Sequence, residues 1–488
     1  MDMKGTWRRM KRMRRNCGRL CLLLLIIGLG GAALPALAQN WMMDARRIGM
    51  GGVGGSENTA SQMIESPDGA HTTIVVPLGL FQVLQNFDIY NPSSDNFDPI
   101  RATENVVAPL HYTFNRNGTG TGADFINDLL DGQLNRDLNT YRGFIPTTQP
   151  VAYGLWTPNW GATIPVYKKG KTRQSIYVGG SAYLPFRGSI LVDDQLQTIL
   201  ASDTNVYIPN AQFNITGAVR VELPVAITAG YRGRFQVRSG GSERDGLYVS
   251  FNYNYLHGFA YEDTLTNLRL DTDSRGMLTF NPTAPFNPIE VVRVYSSKGH
   301  GSATDVGASW VVNRIEVGFG INGLANRINW TGVKAVRYSL PNILSGDGDF
   351  VESATTSVAD VRVEQPIEYV GSGGYHAKQW LATVEVGERT SSYAPDAGHL
   401  GSTWVHTGFE YRFGLLEPRA GAFFSRSRWI PAAGLGLNFG KFGVDVAAFS
   451  NDSNVERYRH PSVAISLRFG NLHPNSGGTA PVGSTGAP

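Results

Sequence analysis

The chain has 488 residues, including 58 glycines and two cysteines, with 11% aromatic and 17% charged residues. Cys17 and Cys21 both fall within the first 38 residues, so the remainder has no thiol, which excludes a secreted protein stapled by disulfides. Those 38 residues also hold 8 of the 43 Lys+Arg residues and 1 of the 40 Asp+Glu residues. Without them the formal charge falls to about −4, and this balance predicts no nucleic-acid partner.

The first 38 residues predict a cleaved signal peptide. A basic run from Arg8 to Arg19 precedes an apolar block from Leu20 to Ala33, and Ala36-Leu37-Ala38 offers a cleavage site before Gln39. The apolar block is short and glycine-rich, which argues against the alternative of a transmembrane anchor. We therefore expect export with removal of residues 1–38.

Residues 39–70 are glycine-rich and show no alternation. In "RRIGMGGVGG" they contain the G-x-G-x-x-G pattern of dinucleotide-binding folds, but "QNWMMDARRI" before it is not a buried strand, so no nucleotide site is predicted. Glycines also allow a backbone to pass close to other groups, and we predict that the segment plugs a barrel lumen, with a flexible periplasmic lead as the alternative. The predicted plug residues are Arg46, Arg47, Gly49, Gly51, Gly52, Gly54 and Gly55.

Residues 71–470 alternate apolar and polar side chains over long segments, as in "RIEVGFGIN" (314–322), "LYVSFNYNY" (247–255) and "SVAISLRF" (462–469). Tight connections at 313–314, 414–416 and 440–442 lie between long polar spans. Long strands with short turns at one end and long loops at the other are typical of outer-membrane barrels. A soluble β-sandwich, whose strands are shorter, is the alternative.

The polar faces of these strands are expected to line the lumen, with a slip in the alternation near Gly233. The predicted lumen-facing residues are Arg232, Arg234, Glu316, Glu410, Arg412, Asp445 and Arg468. We expect Arg46 and Arg47 to pair with lumen carboxylates such as Glu316, Glu410 or Asp445. Helical spacing at 123–141 and 193–202 predicts two short helices in loops or plug, and residues 471–488 read as a disordered Gly/Pro/Ser tail.

Two stretches resemble the FadL-like superfamily of outer-membrane barrels, which includes transporters of hydrophobic compounds and PorV-type barrels of type IX secretion. One is "DARRIGMGGVGGS" (44–56), and the other is the run of closing hairpins from His406 to Gly470. The resemblance implies an all-β fold, namely a transmembrane antiparallel β-barrel of about 14 strands with an N-terminal plug segment. In place of the Asn-Pro-Ala signature of fatty-acid transporters, this chain has "NTASQMI", so fatty acids in particular are not predicted.

The combined interpretation is a monomeric barrel in the outer membrane of a Gram-negative bacterium. It would transport hydrophobic small molecules passively, with outer-membrane lipid and a hydrophobic ligand as its partners. A structural or secretion-associated barrel that holds a protein partner is the alternative. No enzyme, cofactor or metal is predicted, because no catalytic motif occurs, and "DTDSRG" (271–276) begins like a calcium loop but places Arg275 at a ligand position.

Overall fold

The computed structural model describes most of the predicted barrel and part of the segment before it. The described residues are 44–53, 59–65, 69–79, 81, 112–114, 135–141, 149–154, 159–182, 186–237, 244–279, 289–340, 351–364, 367–377, 379–390, 403–425, 428–451 and 460–470. The predicted signal peptide, the predicted tail, and Gly54 and Gly55 of the predicted plug lie outside them.

Within the described residues, the helices with complete bounds are short. They are α1 (Ala45–Gly49), α2 (Thr59–Glu65), α3 (Asp194–Ala201) and a 3-10 turn at Leu138–Tyr141. Helix α3 confirms the helix predicted at 193–202, and the Asp193 carboxylate caps it by accepting the backbone N–H of Gln195 at 3.0 Å. Within the described residues, no helix has both the length and the apolar character needed to cross a bilayer. Of the helix predicted at 123–141, only residues 135–141 are described, and there the structure has the 3-10 turn.

Strands make up most of the described chain. In chain order they are β1 (Gly69–Val76), β2 (Tyr112–Thr113), β3 (Gln149–Gly154), β4 (Asn159–Lys169), β5 (Thr172–Ala182), β6 (Phe186–Val192), β7 (Gln212–Phe235), β8 (Gly246–Thr272), β9 (Leu278–Thr279), β10 (Ile289–Ser296), β11 (Gly299–Val312), β12 (Ile315–Trp330), β13 (Lys334–Leu340), β14 (Val351–Glu352), β15 (Thr356–Ser357), β16 (Val361–Glu364), β17 (Glu368–His376), β18 (Trp380–Arg389), β19 (Trp404–Tyr411), β20 (Leu416–Ser425), β21 (Arg428–Asn438), β22 (Phe442–Asn451) and β23 (His460–Gly470).

Fourteen of these strands close into one antiparallel barrel. The ring runs β1-β4-β5-β7-β8-β11-β12-β17-β18-β19-β20-β21-β22-β23 and returns to β1 through the pairing of His71 with Gly470. The remaining strands pair with the ends of barrel strands or with one another at one rim, where β7 and β8 extend the wall with 24 and 27 residues. The predicted all-β class and barrel of about 14 strands are therefore confirmed.

The alternation of side chains explains why the wall closes around a polar interior. On β12, Ile315, Val317 and Phe319 are 57%, 60% and 53% exposed, whereas Glu316 between them is 5% exposed. The predicted register of β12 is therefore confirmed, with the apolar side chains on the outer surface. Because a continuous apolar outer surface is stable only against lipid, the barrel is of the membrane-spanning kind.

Near Gly233, where the sequence shows a slip in the alternation, Arg232, Gly233 and Arg234 are all buried while the strand pairing continues. The ladder between β7 and β8 is unbroken from Phe235 to Pro224, and its register shifts between Leu223 and Pro224, where Phe259 is the extra residue on β8. Proline lacks the N–H that a ladder position needs, so a bulge at this position relieves the missing hydrogen bond.

The two rims differ in the length of their connections. At one rim the strands join through tight turns, such as those between Val312 and Ile315 and between Asn438 and Phe442. Asn313 and Gly440 adopt φ of 57° and 90° there, as such turns require. At the other rim the chain runs from β1 to β4 or from β12 to β17 through long spans. Short turns mark the periplasmic rim and long connections the extracellular rim.

The register makes a direct prediction about stability. Phe319→Arg places a charge on the outer surface near mid-height of β12 and should lower the free energy of unfolding by about 2–4 kcal/mol. Gly318→Ser, one residue away on the inner face, should have a smaller effect. Urea titration of both variants in lipid vesicles measures the difference, and equal losses would contradict the assignment of faces.

Candidate functional site

The inner faces of β19 to β22 are layered in three tiers from the extracellular to the periplasmic side. The aromatic tier is defined by Trp404, His406, Phe423, Ile430 and Phe449, all at most 5% exposed. The small tier comprises Gly408, Gly421, Ala432, Gly434 and Ala447. The charged tier comprises Glu410, Arg412, Glu417, Arg419, Asp445 and Arg468, the last of these on β23. On β19, β20 and β22, the inward-pointing residues belong to the aromatic, small and charged tiers in turn, because every second residue points inward.

The N-terminal segment lies directly on the small tier. A methyl group on Gly421 would lie 2.2 Å from the carbonyl carbon of Met50, and one on Gly51 would lie 2.3 Å from the backbone nitrogen of Ala422. Gly51 also has φ of 64°, a conformation that other residues rarely adopt. Contact is therefore backbone to backbone. Ala45 and Ile48 of α1 complete it by packing against Phe449 and the alanines of β21 to β23.

The charged tier holds α1 from the periplasmic side. Arg46 Nε donates to Glu410 Oε2 at 3.0 Å, and Arg419 Nε donates to the same oxygen at 2.8 Å. Arg419, whose side chain has no exposed surface, also bonds Asp445 Oδ1 at 2.6 Å and Glu417 Oε2. Arg468 bonds the same two carboxylates, so one hydrogen-bonded network links α1 to β19, β20, β22 and β23.

Helix α2 contacts a different part of the wall through hydroxyl groups. The Thr59 hydroxyl lies 2.6 Å from that of Ser250, and the Ser61 hydroxyl lies 2.7 Å from that of Ser309 on β11. Ala60, Met63 and Ile64 pack against Tyr248 and Val311 on the same wall. This end of the segment is fixed by a few neutral contacts.

Helices α1 and α2 rest on opposite sides of the ring. Helix α1 contacts β20 to β23, and α2 contacts β8, β11 and β12. Going round the barrel, three strands separate these two contact regions on one side and four on the other. The segment that carries α1 and α2 therefore reaches both walls of the lumen.

The residues predicted to face the lumen fall into two groups on these walls. Glu410, Arg412, Asp445 and Arg468 meet in the charged tier, where Arg412 Nε donates to Glu410 Oε1 at 2.9 Å. Arg46 pairs with Glu410, which is one of the three carboxylates that the sequence analysis predicted as its partners. The Arg47 backbone N–H caps α1 by donating to Asp44 Oδ1 at 3.0 Å.

The second group lies near α2. Arg232 and Arg234 stand over the rings of Tyr177 and Tyr248, with 4.4 Å and 5.5 Å between guanidinium carbon and ring centroid. Arg232 pairs in register with Ser250, the serine that contacts α2. Glu316 Oε2 lies 2.7 Å from His376 Nε2 rather than against the N-terminal segment.

The sequence prediction missed Arg419, Glu417 and the glycines of the small tier. Their signal was present, since Glu417, Arg419, Gly421 and Phe423 alternate along β20 with Pro418, Ala420, Ala422 and Phe424. Pro418 interrupts the alternation of polarity by placing a turn-forming residue on the outer face. If Pro418 is disregarded, the alternation of the neighbouring residues predicts that Arg419 points inward on a long strand.

The loop that begins like a calcium site is a turn. Asp273 Oδ1 accepts the backbone N–H groups of Met277 at 3.0 Å and Arg275 at 2.8 Å. These two hydrogen bonds lower the pKa of Asp273 from its usual value. The carboxylate thus closes the turn.

The fold and its interior define a class, the closed membrane β-barrel whose N-terminal segment lies inside the wall. The chain is similar to a TodX monoaromatic hydrocarbon channel carrying the ΔS2S3 mutation, at 12% identity and a TM-score of 0.37, with 88% of this chain and 99% of that chain covered. It is similar to the toluene transporter TbuX of Ralstonia pickettii at 12% identity and a TM-score of 0.31, over 71% of this chain and 94% of that one.

A FadL homologue of Pseudomonas aeruginosa is similar at 12% identity and a TM-score of 0.37, over 65% of this chain and 79% of that chain. No family model matches the chain, and no curated protein matches it in sequence. These structural likenesses are distant and carry no argument about what this chain binds or transports.

Arg419 should contribute far more to stability than an exposed arginine. Arg419→Gln leaves buried carboxylates without their main partner and should lower the free energy of unfolding by about 3–5 kcal/mol. Arg362→Gln is the matched control, because Arg362 and Glu364 form a pair with side chains 55% and 54% exposed, and such a pair contributes about 1 kcal/mol or less. Urea titration in vesicles compares them, and a loss for Arg419→Gln no larger than the control's would refute the network.

Proposed function

We propose that the protein is a passive conduit for hydrophobic small molecules across the outer membrane, acting as a monomer with its N-terminal segment as an internal barrier. In this proposal residues 1–38 are removed on export, residues 39–70 form the plug, residues 71–470 form the barrel and residues 471–488 are a tail. Its partners are the lipid of the outer membrane and the hydrophobic solute.

The observation that carries the proposal is the order of the three tiers. A solute entering from the extracellular side would meet the aromatic tier where Gly52 of the N-terminal segment lies against the ring of His406. Phe423 lies edge-on to His406 at 6.1 Å between ring centroids, and His406 stacks on Trp404 at 4.1 Å. Aromatic faces and edges attract apolar and aromatic molecules while offering little to a hydrated ion.

The two attachments of the segment differ enough to suggest which end moves. Helix α1 is held by buried ion pairs and close backbone packing, whereas α2 is held by apolar packing and by hydroxyl hydrogen bonds that contribute about 1 kcal/mol each. Passage would therefore require α2 to leave the wall at Ser250 and Ser309 while α1 stays in place. The barrel wall itself need not change.

A structural or secretion-associated barrel that holds a protein partner is the second candidate. The paired charges of the charged tier favour it, because Arg419, Arg468 and their carboxylate partners satisfy one another and leave the periplasmic side of the site closed. The two candidates differ in one measurable property, which is whether solute uptake depends on residues of the interior.

Crowding the contact between segment and wall should open the lumen. Gly51→Leu combined with Gly52→Leu, deletion of residues 44–55, or Gly421→Leu on the wall should each raise conductance in planar bilayers, because no side chain fits between Met50 and Ala422. Gly371→Ala is the control, since its added methyl would meet nothing nearer than 3.8 Å. If the deletion leaves conductance and uptake unchanged, the segment is a periplasmic lead and not a barrier.

The aromatic tier should determine uptake of hydrophobic solutes. In cells with an intact outer membrane, Phe423→Gln should lower the rate of N-phenylnaphthylamine uptake by up to about tenfold, the effect of losing roughly 1.4 kcal/mol of apolar contact. Phe424→Gln changes the neighbouring side chain on the outer face and should leave uptake per folded barrel unchanged. Equal uptake in wild type, both variants and cells without the protein would favour the structural candidate.

A further inference from the structure

The outer surface of the wall formed by β8, β11, β12 and β16 carries a row of polar side chains at its extracellular end. His257 pairs in register with His300, His300 with Asn329, and Asn329 with Arg362. These four residues therefore lie side by side across four strands. One step toward the periplasm, Ser302 pairs with both Tyr255 and Arg327.

These residues are on the lipid-facing side of the wall. His257 lies between Tyr255 and Phe259, which are 45% and 52% exposed, and its ring meets that of Phe259 edge-on at 4.8 Å between centroids. His257, His300, Arg327 and Arg362 are all exposed, and we call these four residues the basic row.

The height of the basic row places it at the lipid head groups. On β12 the outward apolar residues run from Ile315 to Leu324, roughly 30 Å along the strand, or roughly 23 Å of height at a strand tilt of about 40°. An apolar band of a membrane barrel is about 25 Å tall and is bordered by aromatic residues, a position that Tyr253 and Tyr255 occupy here. Arg327 is the next charged residue on the outer face above Leu324, opposite Ser302 where Leu324 is opposite Thr304.

We propose that the basic row docks the phosphorylated glucosamine head group of an outer-leaflet glycolipid. The proposal rests on the location in the outer membrane, with the tight turns on the periplasmic side. The outer leaflet there presents phosphates at the level of the basic row, and guanidinium groups bind phosphate through two parallel hydrogen bonds. The imidazoles of His257 and His300, on the strands between β7 and the arginines, add hydrogen-bond donors for the phosphate.

The existing ion pair does not compete strongly with such a phosphate. Arg362 bonds Glu364 Oε1 at 2.6 Å, but both side chains are more than half exposed, so solvent weakens the pair. Glu364 also lies opposite Arg327 in the register of β12 and β16. Two arginines thus lie next to one carboxylate, which leaves net positive charge for an anion. The ring of Tyr255, one step toward the periplasm, provides an apolar surface for the acyl chains.

Native mass spectrometry of the full barrel in detergent tests this proposal with purified bisphosphorylated lipid A as the probe. Wild type should retain a lipid A adduct, and Arg327→Gln combined with Arg362→Gln should weaken its retention by about tenfold or more, as expected for the loss of charge-assisted hydrogen bonds. His257→Gln combined with His300→Gln should weaken it less. Dephosphorylated lipid A should bind wild type as weakly as intact lipid A binds the arginine variant.

Lys169→Gln combined with Arg314→Gln is the matched control, because it removes two exposed basic side chains at the periplasmic rim. It should retain the adduct as wild type does. Heat-modifiable migration in gels verifies that each variant is folded. Equal retention by the arginine variant and wild type would overturn the proposal. So would equal loss in the control, or equal affinity of wild type for phosphatidylglycerol, which would indicate a general effect of charge.

Discussion

The interior depends on one close approach, that of the N-terminal backbone to the barrel wall at Gly51 and Gly421. Two backbones come together there without side chains between them, and the wall supplies Gly408 and Gly434 on either side of that contact. The backbone of the segment therefore packs directly against the backbone of the wall, without side chains between them. Each methyl group added at these glycines would meet backbone atoms at less than van der Waals distance. A substitution here would therefore require the backbone to move, because moving a side chain would not relieve the clash.

The close approach also determines where charge can be buried. With α1 seated on the small tier, Arg46 reaches Glu410, and the charged tier becomes a network of four arginines and three carboxylates. Charges out of contact with water are stable only when they are paired and hydrogen-bonded. Arg419 meets that requirement for Glu410, Glu417 and Asp445 at once. The network therefore fixes both the helix and the spacing of the four strands beneath it.

The sequence predicted the wall better than the interior, for physical reasons. Lipid on one side and polar groups on the other impose a period of two, so the faces of β12 follow from residues such as Phe319 and Glu316 alone. The bulge at Pro224 was not predicted, whereas the slip in alternation near Gly233 leaves the hydrogen-bonded ladder intact. Polarity along one strand does not reveal its hydrogen-bond register.

The partner of Arg46 is an example of a contact that the sequence alone could not predict. Glu316, Glu410 and Asp445 were equivalent candidates by polarity, and Glu410 is 364 residues away in the chain. The choice follows from geometry, because α1 packs against β20 to β23 while Glu316 belongs to the opposite wall and pairs with His376. The two opposite walls of the barrel therefore hold the N-terminal segment through different kinds of contact. One holds α1 through buried ion pairs and backbone contact, and the other holds α2 through buried hydroxyl groups and apolar packing. The attachment of α2 through neutral contacts lies beside Arg232 and Tyr248.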